Sequence, residues 1–409
     1  MSDQTVNGTE AMATSRKSEF TQKANFALLG AFLVMFCSVG YINAFGVFQE
    51  YYLETMLSDH SASSISWLGT FNIFCLFGGT LISGFLNDKY GPRSLLWAGS
   101  AIIIFALFMN SLSTKYYQLF LSQALLLGIG ISLIILPALT TVSQYFAAHR
   151  GLCLGLIVSG SSLGGVIWPI ALHRLLSEIG FGWTLRTIAF IMLPLLTIGC
   201  LTIIPPPEQK TRQNVDFSCL KNPVLVLLAL GLFFVYLGLF TLFFYVTPWT
   251  VSLGLDGNMA FYMVSIVNAA SLFGRILPGI LADRIGPYNV MVLAVVLSGI
   301  VCMCWTTAKS LGGIIVLSLA YGFTSGAVIA LQSACAAAVV KPQHYGIAMG
   351  AVMSFLSIAG LVGTPINGQI LDAFGFLGVS LFSGLALLVG GIIIMLGRCR
   401  FESRLWAKA

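Results

Sequence analysis

Long apolar stretches alternate with short polar connections along nearly the whole chain. A bilayer core about 30 Å thick requires about 20 mostly apolar residues in each helix that crosses it. Twelve stretches meet this requirement, at approximately 25–48, 64–86, 94–113, 116–144, 151–173, 184–204, 222–247, 259–282, 288–308, 311–337, 346–370 and 375–397. The pattern therefore predicts an all-α membrane protein with twelve transmembrane helices and no folded domain in its connections.

The longest polar stretch inside the chain divides these spans into two groups of six. We predict an N-terminal half over 25–204 and a C-terminal half over 222–397, joined by a cytosolic linker over 205–221. The polar residues 1–24 lack the short apolar core of a signal peptide, so they are predicted to form a disordered cytosolic tail. Residues 398–409 form a second predicted tail.

The two halves share a repeat with a constant offset of 195 positions. Five residues of the second connection recur in the eighth, and four residues near the start of the fifth span recur in the eleventh. The pairs are Gly84/Gly279, Asp88/Asp283, Lys89/Arg284, Gly91/Gly286, Pro92/Pro287, His149/His344, Gly151/Gly346, Gly155/Gly350 and Ser159/Ser354. Because each half has an even number of spans, both cross the membrane in the same sense. Their symmetry axis then runs along the membrane normal, with a solute site expected between them.

The amino-acid composition is that of a protein surrounded by lipid. The chain of 409 residues is 57% hydrophobic and 8% charged, with a mean hydropathy of +0.93. A soluble domain carries about 25% charged residues, so this chain has too few to cover a surface that faces water. The net charge of +6 is explained by basic residues in loops and does not indicate a nucleic-acid partner.

Basic residues mark one side of the membrane. With the N-terminus inside, fifteen fall on the inner side and four on the outer side. The outer four are Lys115, Arg174, Arg186 and Lys309. The positive-inside rule then places both termini in the cytosol, and we expect the plasma membrane as the location.

Residues suited to catalysis or metal binding lack the necessary spacing. The four histidines lie at span ends or in loops, the nine cysteines have no metal-ligand spacing, and no nucleotide-binding loop is present. We therefore expect neither an enzyme nor a cofactor or metal ion. The expected partners are a small organic solute and the lipid bilayer, and the protein is expected to work as a monomer.

Residues 84–93 read Gly-Phe-Leu-Asn-Asp-Lys-Tyr-Gly-Pro-Arg, with a weaker copy over 279–287. This segment resembles the signature loop of the major facilitator superfamily. The resemblance implies a conformational latch, in which the aspartate contacts a helix N-terminus and a basic side chain of the other half. A charged loop that only anchors the topology is the alternative. The predicted latch residues are Gly84, Asp88, Gly91, Arg93, Asp283 and Arg284.

A second segment, residues 145–165, is similar to the start of the fifth span in the monocarboxylate porter family, in particular its fungal branch. Residues 268–275 and 360–365 carry further matches, and the resemblance covers the chain after residue 25. Its closely spaced small residues allow helices to approach, which serves rocking motions and static packing equally well.

Arg275 is the strongest candidate ligand for a solute. A basic side chain inside a span costs about 2.5–3.5 kcal/mol on insertion scales, so it usually faces a partner or a watery cavity. The resemblance implies that it pairs with a substrate carboxylate, for which a guanidinium is well suited. The alternative is that Arg275 extends along its own helix to the nearby membrane surface.

Two departures from the family weaken the case for a proton relay. Animal members carry a lysine where this chain has Asn43, and an aspartate where it has Ser271. None of the fourteen acidic residues is predicted near mid-membrane. A proton remains a possible coupling ion, carried by Glu50 or by the solute itself.

Other polar residues inside spans are candidates for the lining of a cavity, with hydrogen bonds between helices as the alternative role. They are Tyr41, Asn43, Asn72, Tyr236, Asn268 and Gln332.

The sequence thus favours a secondary transporter that works by alternating access and exports an amphipathic or acidic specialised metabolite. Proton-coupled uptake of a monocarboxylate or vitamin-like nutrient is the first alternative. A membrane sensor that has lost transport is an alternative of another class, but about twelve residues follow the last span, and sensors usually carry a long signalling tail. A channel would need a continuous polar stripe, which the sparse polar positions do not provide.

Overall fold

The computed structural model describes residues 19–206, 217–255, 257–341 and 344–402. Nearly all residues in these ranges are helical. Ten helical segments of this part of the chain are long and apolar enough to cross a bilayer, and two of them are broken by a glycine with non-helical geometry. Divided at those glycines, the ten segments give the twelve spans, and the prediction of an all-helical membrane fold is confirmed.

The N-terminal half contains six spans, two of which include a π-helical turn. They are α1 (Gln22–Cys37, Val39–Ile42, Phe45–Tyr51 and the π turn Tyr52–Met56), α2 (Ala62–Gly78 and Thr80–Tyr90), α3 (Pro92–Ser111), α4 (Tyr116–Leu119, the π turn Phe120–Leu126 and Leu127–Tyr145), and α5 and α6, which divide Arg150–Thr202 at Gly180.

The C-terminal half repeats this order after a 3₁₀ turn. Its elements are the turn Phe217–Lys221, α7 (Pro223–Leu239 and Thr241–Ser252), α8 (Gly257–Ile285), α9 (Pro287–Cys304, followed by the 3₁₀ turn Trp305–Thr307), α10 (Leu311–Val339), and α11 and α12, which divide Tyr345–Phe401 at Gly375.

Two predicted boundaries need correction. The first helix begins at Gln22, inside the predicted tail, because the Thr21 hydroxyl accepts a hydrogen bond from the backbone N–H of Ala24 at 3.3 Å and caps the helix. The last helix continues to Phe401, four residues past its predicted end at residue 397. Residues 1–18, 207–216 and 403–409, where the remaining tail and linker predictions fall, lie outside the described residues.

The backbone carries the same repeat as the sequence. Gly91 and Gly286 have φ angles of 83° and 98°, and Gly180 and Gly375 have φ angles of 73° and 67°. Each pair is separated by 195 positions. Positive φ at these ψ values is almost exclusive to glycine, so both halves use it to turn between the same consecutive spans.

Large apolar side chains cover the outside of the helical bundle. The most exposed include Ile82, Phe190, Phe273, Val316 and Ile392, each between 58% and 64% exposed. Apolar surface of this extent is unfavourable in water and is the surface that a bilayer covers. With twelve crossings, α1 begins and α12 ends on the same side, which we call the termini side.

The hairpin glycines provide a test of this geometry. Gly180→Ala is expected to destabilise the protein by about 1–3 kcal/mol, because alanine is strained at positive φ, and therefore to lower the melting temperature of the purified protein in detergent. Gly312→Ala is the matched control, since a Cβ at Gly312 meets nothing within 4 Å. Equal melting temperatures for both variants would contradict the assigned backbone geometry.

Candidate functional site at the interface between the two halves

Two helix pairs join the halves through direct backbone contact. A Cβ on Gly84 of α2 would lie 2.5 Å from the carbonyl oxygen of Gly346 in α11, and a Cβ on Gly279 of α8 would lie 2.5 Å from that of Gly151 in α5. Under the 195-residue offset these two contacts are the same pair of positions with the halves exchanged. The interface is therefore pseudo-symmetric, and glycine is required on both sides of it.

Two aspartates cross this interface to helix N-termini. One carboxylate oxygen of Asp88 accepts a hydrogen bond from the backbone N–H of Ile347 at 3.1 Å. Asp283 accepts from the N–H groups of Gly151 at 2.6 Å and Leu152 at 2.9 Å. The first turn of a helix carries free N–H groups and partial positive charge, so a carboxylate is stabilised there. Each half thus binds a helix end of the other half on the termini side.

The basic residues of the predicted latch lie elsewhere. Arg93 and Arg284 are exposed at the ends of their helices rather than packed between the halves. Gly91 serves the α2–α3 turn through its positive φ. On this side a basic side chain does cross the interface at Arg150, whose guanidinium donates to the carbonyl oxygen of Ala337 in α10 at 3.2 Å.

A segment before α1 is attached beside this contact. Glu19 accepts hydrogen bonds from the N–H groups of Ala147 at 3.1 Å and Ala148 at 2.8 Å, and it lies 2.8 Å from Nδ1 of His149. The Phe20 ring packs on Phe146, with ring centroids 5.1 Å apart. Partial burial alone would raise the pKa of Glu19, but the hydrogen bonds from His149 and the loop backbone outweigh it and lower that pKa. The charged carboxylate therefore fixes the loop immediately before α5.

Further from the termini side, Arg275 connects the halves. Its guanidinium donates to the carbonyl oxygen of Val158 at 2.6 Å and also to the Ser161 hydroxyl, both in α5. Asn43 of α1 donates to the carbonyl oxygen of Ser161 at 3.2 Å. Arg275 is 3% exposed, and its Nε atom has no hydrogen-bond partner in the structure. The structure thus brings Asn43 and Arg275 together around Ser161.

The other predicted site residues are buried within single halves or against the interface. Tyr236 donates to Oε1 of Gln332 at 3.0 Å, and both lie inside the C-terminal half. Asn268 donates to the carbonyl oxygen of Val264 in its own helix, and its Oδ1 atom faces Gly165 of α5. Tyr236 and Gln332 therefore make the kind of hydrogen bond between helices that was the alternative to cavity lining, whereas the hydrogen bond of Asn268 lies within its own helix.

Two cavities lie away from the latch, one in each half. Both are small, with room for about one water molecule each. Tyr41 and Asn72 line the first cavity, and Tyr236 lines the second. Arg275 lines neither of them. In this conformation the predicted site residues are thus distributed over two cavities and the closed interface between the halves.

Several residues of the site were not found from the sequence. Ser161, Arg150 and Glu19 were not proposed as site residues, although Ser161 lies in a segment that carries the family resemblance. Thr80 holds the position 195 residues before Arg275, and its hydroxyl donates to the carbonyl oxygen of Gly350 across the interface at 3.2 Å. Thr80 could have been found from the sequence by subtracting the repeat offset of 195 positions from Arg275.

Twelve spans in two equivalent halves, held together by reciprocal contacts on one side, define a membrane carrier. A family model described as Major Facilitator Superfamily matches residues 27–287 and 228–404, and this chain belongs to that superfamily. It is an integral multi-pass membrane protein and a transporter of small solutes rather than an enzyme. Among the residues that the structure describes, no group of three or more metal-ligating side chains is placed to hold an ion.

Known proteins resemble the chain along most of its length. It is 60% identical to the agnestins efflux protein AgnL12 of Paecilomyces divaricatus, with 100% of this chain and 94% of that protein covered. It is 41% identical to the aspyridones efflux protein apdF of Emericella nidulans, with 91% and 77% covered. The E. coli fucose:proton symporter FucP has the same fold, with a TM-score of 0.74, 16% identity, and 93% and 99% coverage.

The contact of Asp283 with α5 predicts a change in accessibility. Asp283→Asn removes the charge that holds the α5 N-terminus, so conformations open on the termini side become more populated. Hydrogen bonds to charged groups contribute about 1.5–3 kcal/mol, so labelling of Cys153 by N-ethylmaleimide should be about tenfold faster or more. Cys153 is 1% exposed and lies beside Gly151, and the experiment keeps it as the only one of the nine cysteines.

The matched control is Asp372→Asn, which alters an exposed aspartate at the far end of α11 and should leave the labelling rate unchanged. Equal labelling rates for the parent and Asp283→Asn would show that the carboxylate does not hold this interface closed.

Proposed function

We propose that this protein exports an acidic or amphipathic specialised metabolite by alternating access. The single observation that carries the proposal is the reciprocal interface between two equivalent halves, and it is supported by the similarity to proteins named as agnestins and aspyridones efflux proteins. The halves would rock about a shared solute site, exposing it to one side of the membrane at a time.

The two aspartates are proposed to act as the conformational latch. In the structure both carboxylates bind helix N-termini of the opposite half on the termini side. These contacts would close that side and would break when the halves rock the other way. Gly84 and its counterpart Gly279 allow the close approach that brings each carboxylate to its helix end.

The termini side is proposed to be cytosolic and the membrane to be the plasma membrane. The excess of basic residues on that side, fifteen against four, supports this orientation. The structure then represents a state closed to the cytosol. Both halves belong to one chain, so a monomer would contain the complete transport path.

We also propose membership of the monocarboxylate porter family, supported by the segments that resemble it and by Arg275. A solute carboxylate that reaches Arg275 would replace Val158 and Ser161 as the partner of the guanidinium. Since those hydrogen bonds join α8 to α5, an anionic solute would loosen the interface as it binds. Ligand binding and opening would then be coupled.

The proton as coupling ion has less support. The acidic residues that the structure describes lie towards helix ends or in connections, and Arg275 has hydrogen bonds to Val158 and Ser161 rather than to a carboxylate. A carboxylate-bearing solute that carries the proton itself would fit this arrangement.

An efflux assay tests the proposed function. Yeast cells lacking their own exporters would be loaded with agnestins or aspyridones, and the retained compound would be measured over time with and without a protonophore. Cells that express the parent should retain several-fold less compound. Arg275→Gln should lose most of this effect for compounds with a carboxylate, because the charge that attracts it is gone.

Arg174→Gln is the matched control, since Arg174 is exposed at the end of α5 and its loss should leave efflux unchanged. A parent protein that binds these compounds without lowering their retention would support the sensor alternative and contradict the proposal.

A further inference from the structure

Two residues that precede α1, Glu19 and Phe20, hold the loop between α4 and α5, and we call them the strap. The carboxylate of Glu19 accepts hydrogen bonds from the consecutive backbone N–H groups of Ala147 and Ala148. It also lies 2.8 Å from the ring of His149, and the side chain of Glu19 is only 15% exposed. Consecutive N–H groups in a turn form a concave site for an anionic oxygen. The strap therefore ties this loop to the chain that enters α1.

The same loop is held from a second direction. Tyr145, the last residue of α4, donates a hydrogen bond to the carbonyl oxygen of Ile204, just past the end of α6, at 2.6 Å. Phe146 is fully buried, and the ring of Phe20 packs against both Phe146 and His149. The ends of four helices of the N-terminal half, α1, α4, α5 and α6, thus meet at one fixed loop.

This loop leads directly into the helix end that Asp283 binds. His149 is the N-cap residue of α5, but its side chain makes no capping hydrogen bond. The N–H groups that a capping side chain would satisfy, those of Gly151 and Leu152, donate instead to Asp283 of the other half. The last contact of the strap, at His149, lies two positions before Gly151. The strap and Asp283 therefore act on the same turn of backbone from opposite sides.

The two latch contacts differ in their geometry. Asp283 accepts from two N–H groups of α5, at 2.6 Å and 2.9 Å, whereas Asp88 accepts from the N–H group of Ile347 in α11 at 3.1 Å. The shorter contacts are thus formed at the helix end that the strap fixes. A helix end that is already fixed by its preceding loop loses less conformational entropy when a carboxylate binds it.

From these contacts we infer that Glu19 is a positioning residue of the latch. By fixing the α4–α5 loop, it holds the first turn of α5 where Asp283 binds it, and so stabilises the state that is closed on the termini side. The inference rests on the proposed latch and deepens it, because it places control of the latch in the chain segment before α1. Any event that draws this segment away from the loop would make opening on the termini side easier.

Distances between spin labels test the inference. The nine native cysteines would be replaced, and Ser94→Cys at the start of α3 and Lys221→Cys before α7, both exposed positions, would carry the labels. Double electron–electron resonance on the full chain in nanodiscs, without solute, gives the ratio of long to short separations between the halves. Asp283→Asn should raise this ratio about tenfold. Glu19→Ala should raise it about threefold to tenfold, since it removes a coupled contact.

Three further variants distinguish positioning from a general structural role. Glu19→Gln keeps an oxygen that accepts from the loop N–H groups but loses the charge, so it should raise the ratio less than Glu19→Ala does. Combined with Asp283→Asn, Glu19→Ala should add less than about twofold, because the contact through which it acts is already weakened. Glu54→Ala is the matched control, since it removes an exposed glutamate at the other end of α1, and it should leave the ratio unchanged.

An unchanged ratio in Glu19→Ala would overturn the inference and leave the latch intact. An equal increase for Glu19→Ala with and without the Asp283 carboxylate would also overturn it, because the strap would then act independently of the latch. An unchanged ratio in Asp283→Asn would refute the proposed latch and the inference with it. The distances depend on neither solute nor gradient, so a failed efflux assay would refute the proposed export without changing this result.

Discussion

The structure depends on the approach of backbone to backbone at four glycines between the halves. Gly84 meets Gly346, and Gly279 meets Gly151, with no room for a side chain at any of them. This separation is what allows a carboxylate on α2 or α8 to reach the first N–H groups of α11 or α5. In a bilayer, where apolar side chains gain little by leaving lipid, close van der Waals contact and a few polar bonds hold helices together. An interface of this kind is compatible with the rocking motion proposed above.

The two helix pairs have the same geometry but different chemistry. At equivalent positions α2 carries Thr80 and α8 carries Arg275, and both donate hydrogen bonds across the interface. A threonine contact is neutral, whereas a buried guanidinium attracts an anion. Under the proposal above, an anionic solute would act on the α5–α8 pair through Arg275, whereas the equivalent position of the α2–α11 pair has no charge to offer it. The repeat gives the two halves their symmetry, and the difference between Thr80 and Arg275 breaks it.

The fold was predictable from the sequence to within a few residues at most helix ends. Apolar length identified the twelve spans, and the offset of 195 positions identified which elements of the two halves are equivalent. The start of α1 was missed because it depends on a single capping hydroxyl, that of Thr21. The partners of polar residues were also beyond prediction. Whether Tyr236 or Tyr41 finds an acceptor depends on a residue about a hundred positions away, and only the folded chain shows which tyrosine is left unpaired.

The turns at Gly180 and Gly375 have a mechanical consequence. Each joins two long helices through one residue with non-helical geometry, leaving no slack by which one helix could slide along the other. Any tilt of α5 must carry α6 with it, and the same holds for α11 and α12. In each hairpin the second helix, α6 or α12, exposes large apolar side chains such as Phe190 and Ile392 on the outside of the bundle. In the rocking motion proposed above, the thickness and lateral pressure of the surrounding bilayer would then act directly on these hairpins.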